Sequence, residues 1–442
     1  MLKFACLCIA LAAAMPLWSQ VEPSASGGGF DLDDSHMMTP PPVSQDAYPV
    51  VIGTEMRSNY LSGGLVFTTA YVDNLVGGDS STSDEMYSVF PTISLDRRTA
   101  RQGESLNYSP GFNFYQHDSQ LNGISQSGSG GYRYHLSPYA VIVFGDSFQQ
   151  NYNLFNQGNP FSPSGITGTP GSPNTALIAP FENQLTNTSS GGIDYQYGRN
   201  AMIGGSGSYS SLHYANATTT TGLDDAGTTG ASAFYSRRIG RSEYVGVVYE
   251  FSKDITHPID TYTVTNAVFG FYTHYFTRSF SLSVLGGPES YTTWAPLVPR
   301  RSSWTPAVQG SFGLQRPRST VTASYSYIVS GAGGLAGTYK STLANVSARF
   351  SLTRTWTIGG SAGYSNFDSA ISNQGISGID LGGRTISAEA TVEHRISEKL
   401  NAIAGYQYFH ESYPGIAIAS SDPNSNRGFI GITYQFNRPL GR

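Results

Sequence analysis

One serine lies in a pattern that could support nucleophilic catalysis. Residues 359–363 read Gly-Gly-Ser-Ala-Gly, matching the G-x-S-x-G pattern in which a sharp strand-to-helix turn exposes the serine hydroxyl. Trp356, Ile358 and Tyr364 share one parity around Ser361, and this period of two predicts that Ser361 lies in the middle of a strand. A mid-strand serine lacks the turn that the chemistry needs, so we predict no catalytic site here.

The histidines and cysteines indicate neither a metal site nor a cofactor. The eight histidines are dispersed, without the helical spacing of metal ligands: His36, His117, His135, His213, His257, His274, His394 and His410. The only cysteines, Cys6 and Cys8, lie near the start of the chain. We therefore predict no metal, no cofactor and no enzyme. An outer-surface hydrolase using His274 or His394 with a nearby serine is the remaining catalytic alternative, and substitution of either histidine or of Ser361 would test it.

These residues belong to segments that alternate apolar and small polar side chains. Leu106, Tyr108, Phe112 and Phe114 share one parity, and Ile430, Ile432, Tyr434 and Phe436 do the same near the end of the chain. A period of two predicts strands. We identify about 18 such segments (16–20 are compatible with the pattern), beginning near residues 59, 86, 104, 123, 139, 184, 201, 228, 243, 263, 279, 304, 319, 340, 355, 383, 399 and 425.

The connections between the segments alternate in length. Short connections, such as Ser137-Pro138 and Pro317-Arg318, are followed by longer ones rich in Gly, Asn, Ser, Asp and Pro, of which the longest is Tyr152–Asn183. This alternation is typical of an up-and-down antiparallel transmembrane β-barrel with tight periplasmic turns and larger outer loops. The sequence therefore predicts an all-β fold with both termini on the periplasmic side.

The composition agrees with a membrane barrel. Charged residues are 12% of the chain and aromatics 13%, against about 25% charged in an ordinary soluble domain. No segment after the first twenty residues has the roughly 18 consecutive apolar residues of a membrane helix. The net charge of −5 argues against a nucleic-acid partner. A secreted all-β repeat protein is the alternative class.

Four regions follow from this pattern. Residues 1–20 combine Lys3 with an apolar run and resemble a signal peptide. Residues 21–58 are rich in Pro, Ser and Gly and predict a flexible periplasmic linker. We predict a barrel over residues 59–436 and a C-terminal tail over 437–442.

The last segment carries a family resemblance. Residues 428–436 alternate apolar side chains and end on Tyr434 and Phe436, which resembles the closing strand of Gram-negative outer-membrane proteins, except that six residues follow. The resemblance implies that Tyr434 and Phe436 form an assembly signal for the barrel assembly machinery, in the cell outer membrane. Residues 106–114, 132–136 and 139–151 also resemble barrels that accompany exopolysaccharide export systems, which implies a wide conduit and a periplasmic export partner.

Charged residues on the polar face suggest what a barrel of this size would do. In a lumen they are tolerated, whereas Arg or Lys facing lipid at the midplane would cost about 2–4 kcal/mol. The candidate pore-lining residues are Arg133, Asp194, Glu250, Arg349, Glu389, Glu393 and Arg395. Both signs occur, which predicts weak ion selectivity.

We predict a passive aqueous pore in outer-membrane lipid for small polar or sugar-like solutes, with the 152–183 loop either as a lid or inward-folded constriction or, equally, as a mobile outer loop. Two alternatives stay open: an exopolysaccharide export conduit, and a non-conducting structural or adhesive barrel whose loops do the work.

Overall fold

A computed structural model describes residues 59–74, 83–151, 183–215, 224–257, 260–277, 279–295, 298–330, 338–370, 382–412 and 424–440. The predicted signal peptide, the linker and nearly all of the 152–183 loop lie outside these residues. Eighteen strands are present: β1 Tyr60–Asp73, β2 Asp84–Arg98, β3 Gln102–Tyr115, β4 Gly123–Ser137, β5 Ala140–Asn151, β6 Gln184–Gln196, β7 Ala201–Tyr214, β8 Asp225–Arg238, β9 Glu243–His257, β10 Thr261–Thr277, β11 Phe280–Ala295, β12 Val298–Arg316, β13 Ser319–Ser330, β14 Tyr339–Ser351, β15 Trp356–Ser369, β16 Gly383–Arg395, β17 Leu400–Ser412 and β18 Asn424–Pro439.

The strands form one closed antiparallel barrel. Each strand pairs with its neighbours in the sequence, and β1 pairs with β18 along its whole length, from Tyr60 opposite Pro439 to Asp73 opposite Asn426. The predicted all-β, 18-stranded up-and-down barrel is therefore confirmed. The last strand runs to Pro439, so part of the predicted tail belongs to the wall. The one short helix of the described residues is a 3₁₀ turn at Ser119–Leu121, and no helix among them is long and apolar enough to cross a bilayer.

The two rims of the barrel differ. We call the rim with the N-terminal end of β1, the C-terminal end of β18 and the eight short turns the terminal rim. The rim at the other end of the barrel is the loop rim. The predicted alternation of short and long connections does not hold everywhere. At the loop rim, residues 258–260 and 296–297 are the whole connections after β9 and β11, because β10, β11 and β12 are 17, 16 and 19 residues long and extend past their neighbours.

The connections at the two rims carry charges of opposite sign. The eight connections at the terminal rim contain seven basic residues and one acid: Arg101, Arg199, Arg241, Arg278, Arg318, Arg354, Lys399 and Glu398. The nine connections at the loop rim contain acids and no Lys or Arg: Asp79, Asp118, Glu182, Asp224, Asp260, Asp380 and Asp422. The barrel thus carries a charge asymmetry along its axis.

One glycine marks the tightest approach between strands. Gly287 of β11 faces β10, and a Cβ atom there would lie 1.8 Å from the carbonyl oxygen of Val268. We expect Gly287→Ala to destabilise the barrel by at least about 1–3 kcal/mol, because the backbone of β10 would have to move. Urea unfolding followed by tryptophan fluorescence measures this. Gly286→Ala is the matched control, since the nearest atom to its Cβ would be the Ala307 carbonyl oxygen, 3.9 Å away. Equal stability of the two variants would contradict the prediction.

Candidate functional site

The strand alternation separates two very different surfaces. The outer wall carries large apolar and aromatic side chains that are exposed, among them Leu65, Phe67, Val284, Ile430 and Ile432. The opposite parity points inward and is dominated by Ser, Thr, Gly, Asn and Gln. All seven candidate pore-lining residues have this inward parity, in β4, β6, β9, β14 and β16. That they line a conducting pore stays a prediction.

Five of the seven lie in the half of the lumen next to the terminal rim. The charge of Arg133 acts on the carboxylate of Asp194, and Arg349 donates from Nη2 to Glu393 Oε2 at 3.0 Å. Arg395, at the end of β16, donates from Nε to the Ser397 carbonyl at 3.4 Å. Arg133, Asp194, Arg349 and Glu393 are all half-buried. Solvent therefore reaches a charged, mixed-sign wall in this half.

Glu389 belongs to a row that sequence reasoning missed. In the register, Glu389 stands opposite Gln407, which stands opposite Arg427. Gln407 donates from Nε2 to Glu389 Oε1 at 3.0 Å and accepts from Arg427 Nη1 at 3.4 Å. Arg427 is fully buried, with its guanidinium 5.5 Å from the ring centre of Phe429. The inward parity of Arg427 within the predicted last strand was the available signal.

Glu250 belongs to a second row, on the opposite wall. Ala267 of β10 stands between Glu250 of β9 and Glu289 of β11, and Asp254 lies near enough to act on Glu289 electrostatically. Sequence reasoning missed Glu289 and Asp254, although Asp254 shares the parity of Glu250. The central lumen is therefore acidic on this wall.

Apolar side chains also point into the lumen, which the sequence did not lead us to expect. A mid-lumen cluster consists of Val248, Ala267, Phe269, Phe271, Leu285 and Ala307, with Phe234 and Ile328 packed against it. A loop-side cluster consists of Ala70, Val72, Met86, Tyr115 and Phe429, with Leu121 and Ile403 packed against it. Apolar side chains thus cover two parts of the inner wall, one in the middle and one nearer the loop rim, so the wall is not lined throughout by neutral hydrogen-bonding groups.

The loop-rim ends of β13, β14 and β15 lean inward. Pairing between β12 and β13 stops at Val308 opposite Tyr327. Between this last pair and the loop rim, Val329 donates its backbone N–H to Glu289 Oε2 at 2.8 Å, and the Tyr291 hydroxyl donates to the Ala370 carbonyl at 3.2 Å. Thr338, just before β14, bonds to Thr263 of β10 and to Thr293 of β11. The constriction visible in the described residues is therefore this leaning rim.

The residues considered for catalysis do not assemble a catalytic set. Ser361 lies within β15 as predicted, facing inward opposite Glu389. His274 faces outward, 3.5 Å from Glu243 and edge-on to the ring of Phe276. His394 faces outward against Trp356, with ring centres 4.3 Å apart. Each histidine thus contacts an acid or an aromatic ring, and neither shows a serine partner in the described part of the chain.

An acidic group described at the loop rim, Asp225, contacts a backbone N–H and a histidine ring. Asp225 accepts from Tyr214 N–H and contacts His213 Nδ1 at 2.6 Å. Burial and the neighbouring Asp225 raise the pKa of Asp224 to about 6. Within the described ranges no group of three or more His, Cys, Asp or Glu side chains could hold a metal ion.

Because of one ion pair at the loop rim, we expect the local stability of the loop to depend on pH. His117 Nδ1 lies 2.8 Å from the buried Asp84 carboxylate, and this hydrogen bond raises the pKa of His117 above its usual value of about 6.5. The pair therefore stabilises the loop fully below that value and weakens as pH rises through the folded-state pKa. NMR titration should give a raised pKa that Asp84→Asn returns towards normal. An unchanged value in that variant would contradict the assignment.

Comparisons with known proteins show the fold alone. No family model and no curated protein matches the chain. Among solved structures, OccK2 (OpdF) from Pseudomonas aeruginosa is 9% identical over 86% of this chain and 98% of its own (TM-score 0.43). The outer membrane protein OpdK from the same species is 10% identical over 86% and 99% (TM-score 0.41), and the ferric citrate transporter FecA is 10% identical over 85% and 78% (TM-score 0.41). These outer-membrane barrels are what the chain is similar to, and the closed 18-stranded fold itself follows from the strand pairing.

Proposed function

We propose that this chain is an outer-membrane β-barrel that forms a passive pore for small polar or sugar-like solutes. The observation that carries the proposal is the closed 18-stranded barrel, apolar and aromatic outside and charged and solvent-reached inside its terminal half. Such an outer surface is stable in lipid, where a closed barrel leaves no unpaired strand edge. The proposal includes no catalytic step and no cofactor, and Tyr434 and Phe436 serve assembly.

The mid-lumen cluster narrows the pore in its middle, and the leaning ends of β13–β15 narrow it at the loop rim. Solutes entering from the terminal rim would meet Arg133, Asp194, Arg349 and Glu393 first and then the mid-lumen cluster around Phe269. Charges of both signs near the terminal rim, and the apolar cluster beside the acidic row of Glu250 and Glu289, favour small polar solutes. The inward apolar side chains are unfavourable for a wide polymer conduit, so they do not support the export alternative.

Planar-bilayer recording of the refolded full chain tests the proposal. We expect small discrete conductance steps that neutral oligosaccharides reduce. A heat-modifiable gel shift confirms folding of the same preparation, and the unfolded protein is the control. A correctly folded barrel that never conducts would overturn the pore and favour the second candidate, a structural or adhesive barrel, for which the packed lumen is the specific observation.

A further inference from the structure

One carboxylate is out of place on the outer wall of the barrel. Asp146 has the outward parity of Phe144 and is exposed, and it lies six residues from Ala140 and five from Asn151, the two ends of β5. Each of the other outward Asp, Glu, Lys, Arg or His side chains in the described strands lies within four residues of a strand end. Among the described strands, Asp146 is therefore the one Asp, Glu, Lys, Arg or His side chain in the middle of the lipid-facing belt.

Small polar residues and two aromatic rings surround Asp146. In the register Asp146 stands between Gly130 of β4 and Ser189 of β6, and the Ser189 hydroxyl donates to its carboxylate. The next positions along these strands are Gly128 and Gly191, and the rings of Phe148 and Phe144 lie against them. We call the following residues the polar face: Gln126, Gly128, Gly130, Asp146, Asn187, Ser189, Gly191, Gly207, Tyr209 and Thr229. Its open part is at Asp146 and Ser189, which are exposed, and at Gly207, where an added Cβ would meet no atom within 3.8 Å.

The hydrocarbon chains of lipid cannot form hydrogen bonds with the polar face. Five residues of strand span roughly 16 Å, so the short Asp146 side chain cannot reach the headgroups of either leaflet as a lysine or arginine could. A carboxylate in the hydrocarbon layer is stable when it meets hydrogen-bond donors in a neighbouring protein surface. Small residues at such a surface allow two backbones to approach closely.

We propose that the polar face is covered by a second copy of this chain. The face is complementary to itself, because beside the acceptor Asp146 it carries donors: the Gln126 side-chain amide, the Tyr209 phenol and the Thr229 hydroxyl. Tyr209 and Thr229 are exposed, and the Gln126 amide nitrogen is a donor while its oxygen accepts from Tyr108. A copy of the chain is present at equal concentration in the same membrane, and facing it buries each Asp146 against the donors of the other. The inference rests on the membrane placement proposed above.

Disulfide cross-linking in membranes tests the proposal. Because Cys6 and Cys8 are the only cysteines, replacing both by Ala gives a cysteine-free background. Gly207→Cys places a thiol on the polar face, where its Cβ would lie 3.8 Å from the Gly230 carbonyl oxygen. Val346→Cys, on the exposed outer wall of β14, is the matched control. We expect a covalent dimer from Gly207→Cys and none from Val346→Cys upon mild oxidation.

A second variant separates assembly from folding. Asp146→Leu makes the face apolar, so we expect the purified protein in mild detergent to shift from an oligomeric to a monomeric mass, with an unchanged heat-modifiable gel shift. Equal cross-linking at both positions, a cross-link to a protein of another mass, or a monomeric parent chain would overturn the proposal. Absence of the parent from the membrane fraction would instead refute the proposed membrane function itself.

Discussion

Phe269→Ala is expected to raise single-channel conductance several-fold and to lower the stability of the barrel. Phe269 points into the middle of the lumen, is 1% exposed and packs within the mid-lumen cluster beside Val248 and Leu285. Removing the ring widens the middle of the lumen, and a buried Phe→Ala change typically costs about 3–5 kcal/mol. Bilayer recording measures the first effect and urea unfolding the second.

The control for Phe269 is an aromatic residue on the other surface. Phe350→Ala removes an exposed ring from the outer wall of β14 and should leave conductance unchanged. A Phe269→Ala barrel that loses stability but conducts like the parent would show that the constriction lies elsewhere. The leaning ends of β13–β15 would then be the next candidates, through the Glu289 contact to Val329.

Gln407→Leu should destabilise the folded barrel by about 1.5–3 kcal/mol, the usual cost of losing hydrogen bonds to charged groups. Gln407 joins Glu389 to Arg427, and Arg427 is fully buried. Leucine neither donates to the carboxylate nor accepts from the guanidinium, so both charges lose a hydrogen bond in a site from which water is largely excluded. Urea unfolding in detergent or vesicles measures the change.

A compensating variant tests whether charge or shape is responsible. Glu389→Leu combined with Gln407→Leu and Arg427→Met replaces the row with apolar groups of similar size, and replacing a buried ionic group in this way is often neutral or stabilising. We expect the triple variant to recover most of the stability lost by Gln407→Leu. If it is less stable than the single variant, the row does not act as an electrostatic unit.

The lumen combines two environments that imply different roles. Near the terminal rim the inner wall is charged and half-buried, as at Arg349 and Glu393, so water reaches it. From Phe269 towards the loop rim the inner wall carries two apolar clusters beside buried polar residues, and the ends of β13–β15 lean inward. In the proposed pore, conduction would depend on how far this section opens, which makes Phe269 and the Glu289–Val329 contact the informative positions.

Most of the wall could be predicted from local pattern. Segment starts near 123, 184, 201, 243, 319 and 383 coincide with the observed strands, because alternation and turn chemistry are encoded within a few neighbouring residues. The largest difference is at β12, which begins at Val298 rather than near 304. Residues 299–304 are polar or exposed on both faces, so they carry no alternation that could reveal a strand extending past the rim.

The alternation of apolar and polar residues also predicted which side chains point inward, since successive residues of a strand face opposite sides. It could not tell which of those inward residues meet. Glu389 reaches Arg427 through Gln407, and Glu250 stands across Ala267 from Glu289, only because closure and shear set the register of strands many residues apart. The same holds for the inward lean at Val329, which depends on where β12 and β13 separate. The side of the sheet to which a side chain points is determined within its own strand, whereas contacts between inward side chains of different strands are determined by the closed barrel.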